Sequence, residues 1–353
     1  MNFHKRPSWY IQVVRQNHGH EYMKMTPVED QPTKVVAFRD AQWKTQWLVI
    51  GLAFLFLWRC TVFVDYKWFS QLPWWLLLMV TGLIPQAFLL LFPIITRNPR
   101  QLYSFGFPTK TSCLREFGVA VLVVIITSIV LGAINALINY VSPGTSLTPD
   151  IFKNMAVSSN HMYVYFLLLF SFTFAPIAEE TFFRGFLYNS FRARMPWIIA
   201  ILIQCLIFGF GHFFGGMHAI VAFFLGVLLT VIYEWRKTLV TPIFVHAGIN
   251  FVASLGVVFM MVAHANSPVI GVSCDLNSTA CVIRQIASDS AAEAADLRVE
   301  DIITAFNSVP IRNFQHLSEN VRLHKPGDKI SITINRAGTV FEVSVVLRSR
   351  GKP

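Results

Sequence analysis

The chain has 353 residues, of which 54% are hydrophobic and only 14% are charged, whereas soluble domains contain about 25% charged residues. This composition excludes a single soluble globular domain and predicts a multi-pass membrane protein. The net charge of +10 does not indicate nucleic acid as a partner, because the Lys and Arg residues fall in short loops between apolar segments and in the N-terminal arm.

Apolar segments dominate the first three quarters of the chain. Residues 1–46 form a polar, basic arm, and residues 47–264 contain stretches long enough to cross a hydrocarbon core about 30 Å thick. Basic residues lie in alternate loops, which predicts a cytoplasmic N-terminus and, after seven spans, an extracytoplasmic C-terminal domain. We expect an all-α polytopic membrane bundle of about seven transmembrane helices: Trp47–Val64, Pro73–Ile95, Cys113–Tyr140, His161–Ala178 running on past Glu179, Trp197–His212, Met217–Tyr233 and Val240–Ala263.

Residues 266–350 have the composition of a small soluble α+β domain. A turn is expected at residues 336–338, and Asn313 is a plausible N-cap. Cys274 and Cys281 are close enough in sequence to form a disulfide if the domain lies outside the cytoplasm, which the sequence leaves open. The predicted strands are Val282–Ile286, Ile302–Phe306, Lys329–Asn335 and Val340–Leu347, and the predicted helices are Ser290–Ala295 and Phe314–Leu323.

Two adjacent glutamates precede an arginine at the end of the fourth apolar segment. Ionisable groups inside membrane helices cost roughly 2.5–3.5 kcal/mol each on insertion scales, so they indicate function. Arg184 is four residues after Glu180, and the two can neutralise each other on one helix face. Glu179 points elsewhere and is left as an unpaired carboxylate that can act as a general base. An ion-pair staple at a helix end would explain Glu180 and Arg184, but not Glu179.

Two further pairs with the same spacing lie in later apolar segments, Phe208 with His212 and His246 with Asn250. A lone histidine on an apolar helix is more often a core residue than a ligand, and the second pair could serve as interhelical hydrogen bonds. The functional interpretation is a cavity-facing pair that provides metal ligands or an oxyanion clamp. Counting residues places Glu179 and His212 at the same membrane depth, with His246 one or two turns lower.

The ordered trio Glu-Glu-x-x-x-Arg, Phe-x-x-x-His and His-x-x-x-Asn resembles the CPBP or Abi family of intramembrane peptidases, which are related to eukaryotic CAAX prenyl endopeptidases. The resemblance covers about residues 167–254. It implies that Glu179 and His212 activate water, while His246 and Asn250 stabilise the oxyanion.

The same resemblance implies supporting roles and leaves the metal open. Glu180 and Arg184 would hold the first helix in place, and Phe208 would shape the pocket. Members of the family are described as metallopeptidases, although a metal-free glutamate mechanism is also argued for them, and the His-Glu-x-x-His zinc pattern is missing from this sequence. A zinc ion, if bound, would be held by Glu179, His212 and His246.

The C-terminal domain resembles PDZ domains of bacterial proteases. Residues 290–303 are similar to the PDZ signature, with Ala291 in place of Pro and with Asp296 and Glu300 in place of two glycines. The resemblance implies capture of a C-terminal peptide by strand addition, which these departures put in question. The peptide-binding loop would consist of Val269, Ile270, Gly271 and Val272.

Together the resemblances imply an intramembrane endopeptidase of a bacterial cytoplasmic membrane. It would contact lipid and cleave membrane proteins or membrane-associated peptides, with the PDZ domain recruiting or gating substrate. The alternatives are a catalytically silent scaffold or bacteriocin-immunity-type protein and, less favoured, a transporter, because buried charges also mark ion pathways. The presence of all four catalytic residues argues against a silent protein, and the motif order argues against a transporter.

Overall fold

The structure, a computed structural model, describes residues 9–15, 21–27, 43–63, 73–96, 110–142, 147–148, 150–158, 160–212, 216–275 and 278–351. Two antiparallel strands, β1 (Trp9–Arg15) and β2 (Glu21–Pro27), lie in the N-terminal arm, where no strand was predicted.

The membrane region is a succession of helices in which two π-helical segments interrupt α-helical ones. Apart from these segments, the helices that flank Thr173 are bent by 41° relative to each other. Pro176 lies just beyond this bend and cannot donate a backbone hydrogen bond to the preceding turn. The elements are α1 (Thr45–Phe63), α2 (Trp74–Leu78), a first π segment (Met79–Leu83), α3 (Ile84–Ile95), α4 (Lys110–Val141), α5 (Asp150–Ala156), α6 (His161–Phe172), α7 (Phe174–Glu180), a second π segment (Thr181–Tyr188), α8 (Asn189–Arg192), α9 (Trp197–Gly211), α10 (Gly216–Arg236) and α11 (Val240–Ala265).

All seven predicted apolar segments are helical where the structure describes them, except at Pro73, Thr173 and His212. Three helices are long and apolar enough to cross a membrane, namely Cys113–Val141, Met217–Arg236 and Val240–Ala265, and the bent pair His161–Phe172 with Phe174–Arg192 would make a fourth. The other apolar helices, Thr45–Trp58, Met79–Ile95 and Trp197–Gly211, are shorter. A helical region with three candidate spans is therefore clear, whereas the count of seven transmembrane helices is not confirmed and stays a prediction.

Aromatic side chains pack around the second π segment at the centre of the membrane region. Phe182 and Phe186 are fully buried. The ring of Phe186 meets those of Trp43 and Phe92 edge-on, with centroids 5.1 and 5.3 Å apart. Because lipid tails are as apolar as these side chains, such packing rather than water exclusion holds membrane helices together.

Two glycines of the membrane region allow neighbouring helices to approach closely. A Cβ atom at Gly209 of α9 would lie 2.9 Å from the carbonyl oxygen of Ala219 on α10. A Cβ atom at Gly248 of α11 would lie 2.7 Å from the side chain of Val124 on α4. A larger residue at either position would push the helix pair apart.

The C-terminal domain is a β-sheet with two short helices on its own apolar core. The helices are α12 (Ala291–Ala294) and α13 (Phe314–Val321). The strands are β3 (Pro268–Val269), β4 (Val272–Cys274), β5 (Cys281–Ile286), β6 (Ile302–Phe306), β7 (Val309–Pro310), β8 (Lys329–Arg336), β9 (Thr339–Val346) and β10 (Arg348–Ser349). The sheet order is β4-β5-β6-β8-β9, with β7 beside β6, and a separate pair joins β3 to β10.

The predicted strands and helices of this domain are confirmed within one to two residues at their ends. The predicted N-cap is also confirmed, because the Asn313 side chain accepts a hydrogen bond from the His316 amide at 2.9 Å. Ser290, which was assigned to a helix, instead caps α12 by accepting from the Glu293 amide at 3.1 Å.

The two residues that replace signature glycines keep the backbone conformation that favours glycine. Asp296 has φ +53° and Glu300 has φ +73°, a left-handed conformation that costs roughly 1–2 kcal/mol per non-glycine residue. Arg298 holds the Asp296 carboxylate at 2.9 Å, and Arg284 holds Glu300 at 2.6 Å. The departures therefore leave the fold intact at the expense of local strain.

The hairpin between β8 and β9 contains another residue in the left-handed conformation, Ala337, and the strain there can be measured. Ala337 and Gly338 form a two-residue turn with φ +50° and +89°, the pattern of a type I′ turn, in which Asn-Gly is preferred. We expect Ala337→Asn to raise the free energy of unfolding by about 0.5–1 kcal/mol, because Asn tolerates this conformation better than Ala. Urea unfolding of a fragment spanning residues 266–353 would measure the change.

Gly338→Ala is the matched control for this hairpin, and we expect it to lower the free energy of unfolding. Equal stabilities for both variants would contradict a left-handed turn at these positions.

Candidate active site

A fully buried ion pair anchors the candidate site. Arg184 Nη1 lies 2.8 Å from Glu180 Oε1, and both side chains have no exposed surface, which confirms that this helical pair forms. The guanidinium also donates to the Gly226 carbonyl at 3.0 Å and to Thr230 Oγ1 at 3.3 Å, both on α10. It lies 4.7 Å from the centre of the Phe208 ring. These α10 partners belong to no sequence motif and were not predicted.

The prediction that Glu180 serves only to hold its own helix in place was incomplete. The same Oε1 atom that pairs with Arg184 lies 2.9 Å from His246 Nδ1 on α11. Glu180 therefore links α7 to α10 through Arg184 and to α11 through His246. It orients a predicted site histidine in addition to supporting its own helix.

Glu179 has a partner, contrary to the expectation that it would be unpaired. Its Oε1 atom accepts a hydrogen bond of 2.6 Å from Gln86 Nε2 on α3. Its Oε2 atom is buried and has no hydrogen-bond partner among the described residues. That oxygen lies 3.6 Å from His212 Nε2 and 3.9 Å from His246 Nε2.

The two histidines reach Glu179 from different helices. The structure agrees with the expectation that Glu179 and His212 lie at the same depth. Residue counting placed His246 one or two turns lower, a gap that helix tilt or a raised loop would have to close, and its Nε2 does approach the same carboxylate oxygen. Residue counting assumes straight helices normal to the membrane, whereas the helix carrying Glu179 is bent by 41°.

Hydrogen bonds to the Nδ1 atoms fix how both histidine rings face Glu179. His212 Nδ1 lies 2.8 Å from the Phe208 carbonyl, and His246 Nδ1 lies 2.9 Å from Glu180. A carbonyl and a carboxylate can only accept, so in each ring Nδ1 carries a proton. In a neutral ring Nε2 is then the acceptor, and the Nε2 atoms of His212 and His246 lie 3.6 and 3.9 Å from Glu179 Oε2.

Asn250 makes its hydrogen bond near the helix bend and not with the Glu179 carboxylate. Its Nδ2 atom donates to the Ser171 carbonyl at 2.8 Å, one turn before Pro176. This bond ties α11 to the break that precedes Glu179. Its predicted oxyanion role stays a prediction.

Phe208 lines the site, as predicted from its position on the face of His212. Its ring is 1% exposed and its centroid lies 4.3 Å from that of His212 and 6.0 Å from that of His246. It also meets Phe183 edge-on at 4.9 Å. The aromatic wall separates the histidines from the packed interior.

The donor types around Glu179 match a zinc site, but their arrangement does not. Two His and one Glu are a known ligand set for catalytic zinc. Among the residues that the structure describes, no group of three or more His, Cys, Asp or Glu side chains is arranged to hold a metal ion. Zinc binding by Glu179, His212 and His246 therefore stays a prediction.

The predicted peptide-binding loop of the C-terminal domain forms a tight connection between β3 and β4. Gly271 has φ +87°, and a Cβ atom there would lie 2.3 Å from Ser290 Cβ, so glycine is required. The Ile270 carbonyl accepts from the Ala292 amide at 2.8 Å. Val269 pairs with Arg348, and Val272 begins β4, which pairs with β5 alone among the described strands. Strand addition at this edge of the sheet stays a prediction.

Comparisons with known proteins match two separate parts of the chain. Residues 161–252 match the family model of the Type II CAAX prenyl endopeptidase Rce1-like proteins, and residues 268–347 match the model of the PDZ domain. The predicted resemblances are confirmed, and the chain carries an Rce1-like domain followed by a PDZ domain. Gln86 lies outside both matched regions.

One curated relative and two solved structures are similar to parts of the chain. The UPF0177 protein YaiH of Lactococcus lactis is 32% identical over 115 residues, which are 32% of this chain and 48% of that protein, so the chain spans about half the length of this relative. An HtrA-type protease AlgW with decapeptide (20% identity) and a serine endoprotease from Yersinia pestis (19% identity) each align with 28% of this chain and 35% of their own, with TM-scores of 0.25 and 0.23. These scores are too low to support a structural argument.

The buried ion pair predicts a specific pattern of stabilities. Arg184→Met leaves the buried Glu180 carboxylate without its counter-charge, which typically costs about 3–5 kcal/mol. The double variant Glu180→Gln with Arg184→Met buries no charge, and we expect it to recover most of that loss. Thermal unfolding of the detergent-solubilised protein would measure both.

Glu180→Gln alone leaves the buried Arg184 guanidinium without its counter-charge, so we expect it to lower the unfolding temperature as Arg184→Met does, and more than the double variant does. If Arg184→Met unfolds at the wild-type temperature, the ion pair does not support the site.

Proposed function

We propose that this protein is an intramembrane endopeptidase that hydrolyses peptide bonds of membrane proteins or membrane-associated peptides. The observation that supports this proposal most directly is the Glu179 Oε2 atom, buried and without a hydrogen-bond partner among the described residues, facing the Nε2 atoms of two histidines. The Rce1-like match of residues 161–252 points to the same class of enzyme.

In the proposed mechanism Glu179 and His212 activate a water molecule between them. A water at this position donates one hydrogen to Glu179 Oε2 and the other to His212 Nε2. As its oxygen attacks the carbonyl carbon of the peptide, Glu179 accepts the proton and later delivers it to the leaving amine. His212 keeps its orientation because Nδ1 is held by the Phe208 carbonyl.

His246 is proposed to stabilise the oxyanion that forms in this step. Its ring is fixed by Glu180 at 2.9 Å, and a carboxylate at Nδ1 orients an imidazole as in serine protease triads. When Nε2 carries a proton, it can donate to the developing negative charge. Asn250, in this proposal, contributes by holding the bend that carries Glu179.

The PDZ domain is proposed to recruit a peptide or to gate the site through α11. β3 begins at Pro268, three residues after α11 ends at Ala265. The Gly351 amide donates to the Ala265 carbonyl at 3.2 Å, so the end of the PDZ domain is bonded to the end of α11. A peptide that adds to β4 could thereby shift the helix that carries His246.

We further propose a bacterial cytoplasmic membrane, with the N-terminus inside and the PDZ domain outside. The loop charges support this orientation. The sulfur atoms of Cys274 and Cys281 lie 2.9 Å apart across β4 and β5. In an oxidising compartment the two thiols would pass two protons and two electrons to a thiol–disulfide oxidant and form a disulfide.

The main test is loss of cleavage on Glu179→Ala. Candidate substrates would come from membrane proteomes of cells with and without the protein, and cleavage would be measured with purified components in liposomes. We expect the rate to fall by a factor of about 10² or more, because the general base is removed. Glu234→Gln is the matched control, since Glu234 pairs with Lys237 and Arg192 away from the site.

Cleavage by Glu179→Ala at the wild-type rate would rule out this mechanism. A wild-type protein that cleaves nothing would instead favour a catalytically silent scaffold. Activity that is lost on chelation and restored by Zn²⁺ would show that cleavage requires a metal ion.

The orientation is tested by counting reactive thiols in cells lysed directly into a denaturant that contains the label, because Cys274 and Cys281 are buried in the folded domain. The variant used has its other cysteines replaced by Ala (Cys60, Cys113 and Cys205). We expect no labelling of Cys274 or Cys281 by a maleimide until a reductant is added, and two labels afterwards. Cys274→Ser should give one label under both conditions. Two labels without reductant would place the PDZ domain on the reducing side.

A further inference from the structure

We propose that Gln86 is a positioning residue that fixes the Glu179 carboxylate for catalysis. This inference rests on the proposed function of Glu179. Gln86 lies on α3, about ninety positions from Glu179 and outside the region that matches the Rce1-like family. No motif in the sequence points to it.

The contact between the two residues is short and enclosed. Gln86 Nε2 donates to Glu179 Oε1 at 2.6 Å, and the residues are 5% and 8% exposed. Hydrogen bonds to an ionised acceptor are roughly twice as strong as neutral ones. An enclosed bond of this kind holds the carboxylate in one plane.

The bond determines which oxygen is left for the chemistry. A carboxylate has two equivalent oxygens and rotates easily about its last bond. With Oε1 held by Gln86, Oε2 is the oxygen that faces His212 and His246, at 3.6 and 3.9 Å. Without the amide, the carboxylate can turn and the water loses its fixed acceptor.

The local structure around Gln86 places it on the face of α3 that meets α7. It follows the first π segment, Met79–Leu83, and is the third residue of α3. A π turn inserts one residue and changes the face that later side chains present, and such segments are frequent at functional sites. Glu179 itself lies just before the second π segment, Thr181–Tyr188.

The second polar atom of Gln86 also indicates a site rather than a packing contact. Gln86 Oε1 is buried and has no hydrogen-bond partner among the described residues. Buried acceptors without partners are uncommon in native proteins. This oxygen can accept from an amide N–H of the substrate.

The test compares Gln86→Met with Gln204→Met in the full-length protein. Gln204 is also a fully buried glutamine of the bundle, but it bonds Thr230 and does not touch Glu179. We expect Gln86→Met to lower kcat by about 10–100-fold with KM changed less than about threefold, as for other groups that orient a catalytic ligand. Gln204→Met, which reaches the site only through Thr230 and Arg184, should lower kcat much less than Gln86→Met does. Equal kcat values for wild type and Gln86→Met would overturn the proposal.

A second variant keeps the proposal testable if Gln86→Met does not fold. Gln86→Asn retains the amide but withdraws it by one methylene from Glu179, and we expect a similar loss of kcat. Wild-type kcat in Gln86→Asn would overturn the positioning role.

A stability cycle separates this inference from the proposed function. Melting temperatures of Gln86→Met, Glu179→Gln and the double variant test whether the two side chains act together. We expect the double variant to depart from the sum of the single shifts, and additive shifts would overturn the contact. Failure of Glu179→Ala to reduce cleavage would refute the peptidase mechanism alone, because the cycle requires no activity.

Discussion

Placing a carboxylate and a guanidinium inside a membrane helix is costly unless each finds its counter-charge and enough hydrogen bonds. Glu180 and Arg184 meet this requirement together, because they pair at 2.8 Å with no exposed surface. The remaining donors of Arg184 reach a carbonyl and a hydroxyl on α10, and the Glu180 carboxylate also holds His246 on α11. One buried pair thus connects the helix of Glu179 to two others.

The geometry of the candidate site follows from these connections. His246 can face Glu179 because Glu180, the neighbouring residue, fixes its ring. The bend before Glu179 is held by the bond from Asn250 to the Ser171 carbonyl at 2.8 Å. Two of the motif residues, Glu180 and Asn250, therefore act in this structure as ties between helices, while Glu179 and the histidines carry the atoms that can react.

Much of the fold could be predicted because its signals are local. Apolar length indicated the long helices of the membrane region, but not the short helix α5 (Asp150–Ala156). β-Strand patterns with turn residues indicated four strands of the PDZ domain, β5, β6, β8 and β9, but not the short strands β3, β4, β7 and β10. The pairing of Glu180 with Arg184 followed from helical spacing alone. The π segments, the 41° bend at Thr173 and the strands of the N-terminal arm were not predicted, because their signals are weak or depend on packing against distant residues.

By itself the sequence determined which residue types lie four apart on each helix, and so which side chains share a face. Only the tertiary structure decided which faces meet. Glu179 lacked a partner in every local pattern, yet Gln86, a single amide in an apolar segment, bonds it at 2.6 Å. His246 reaches the same carboxylate through tilt and bending that residue counting does not describe. Spacing along one helix is set by backbone geometry, whereas contacts between helices depend on the packing of the whole bundle.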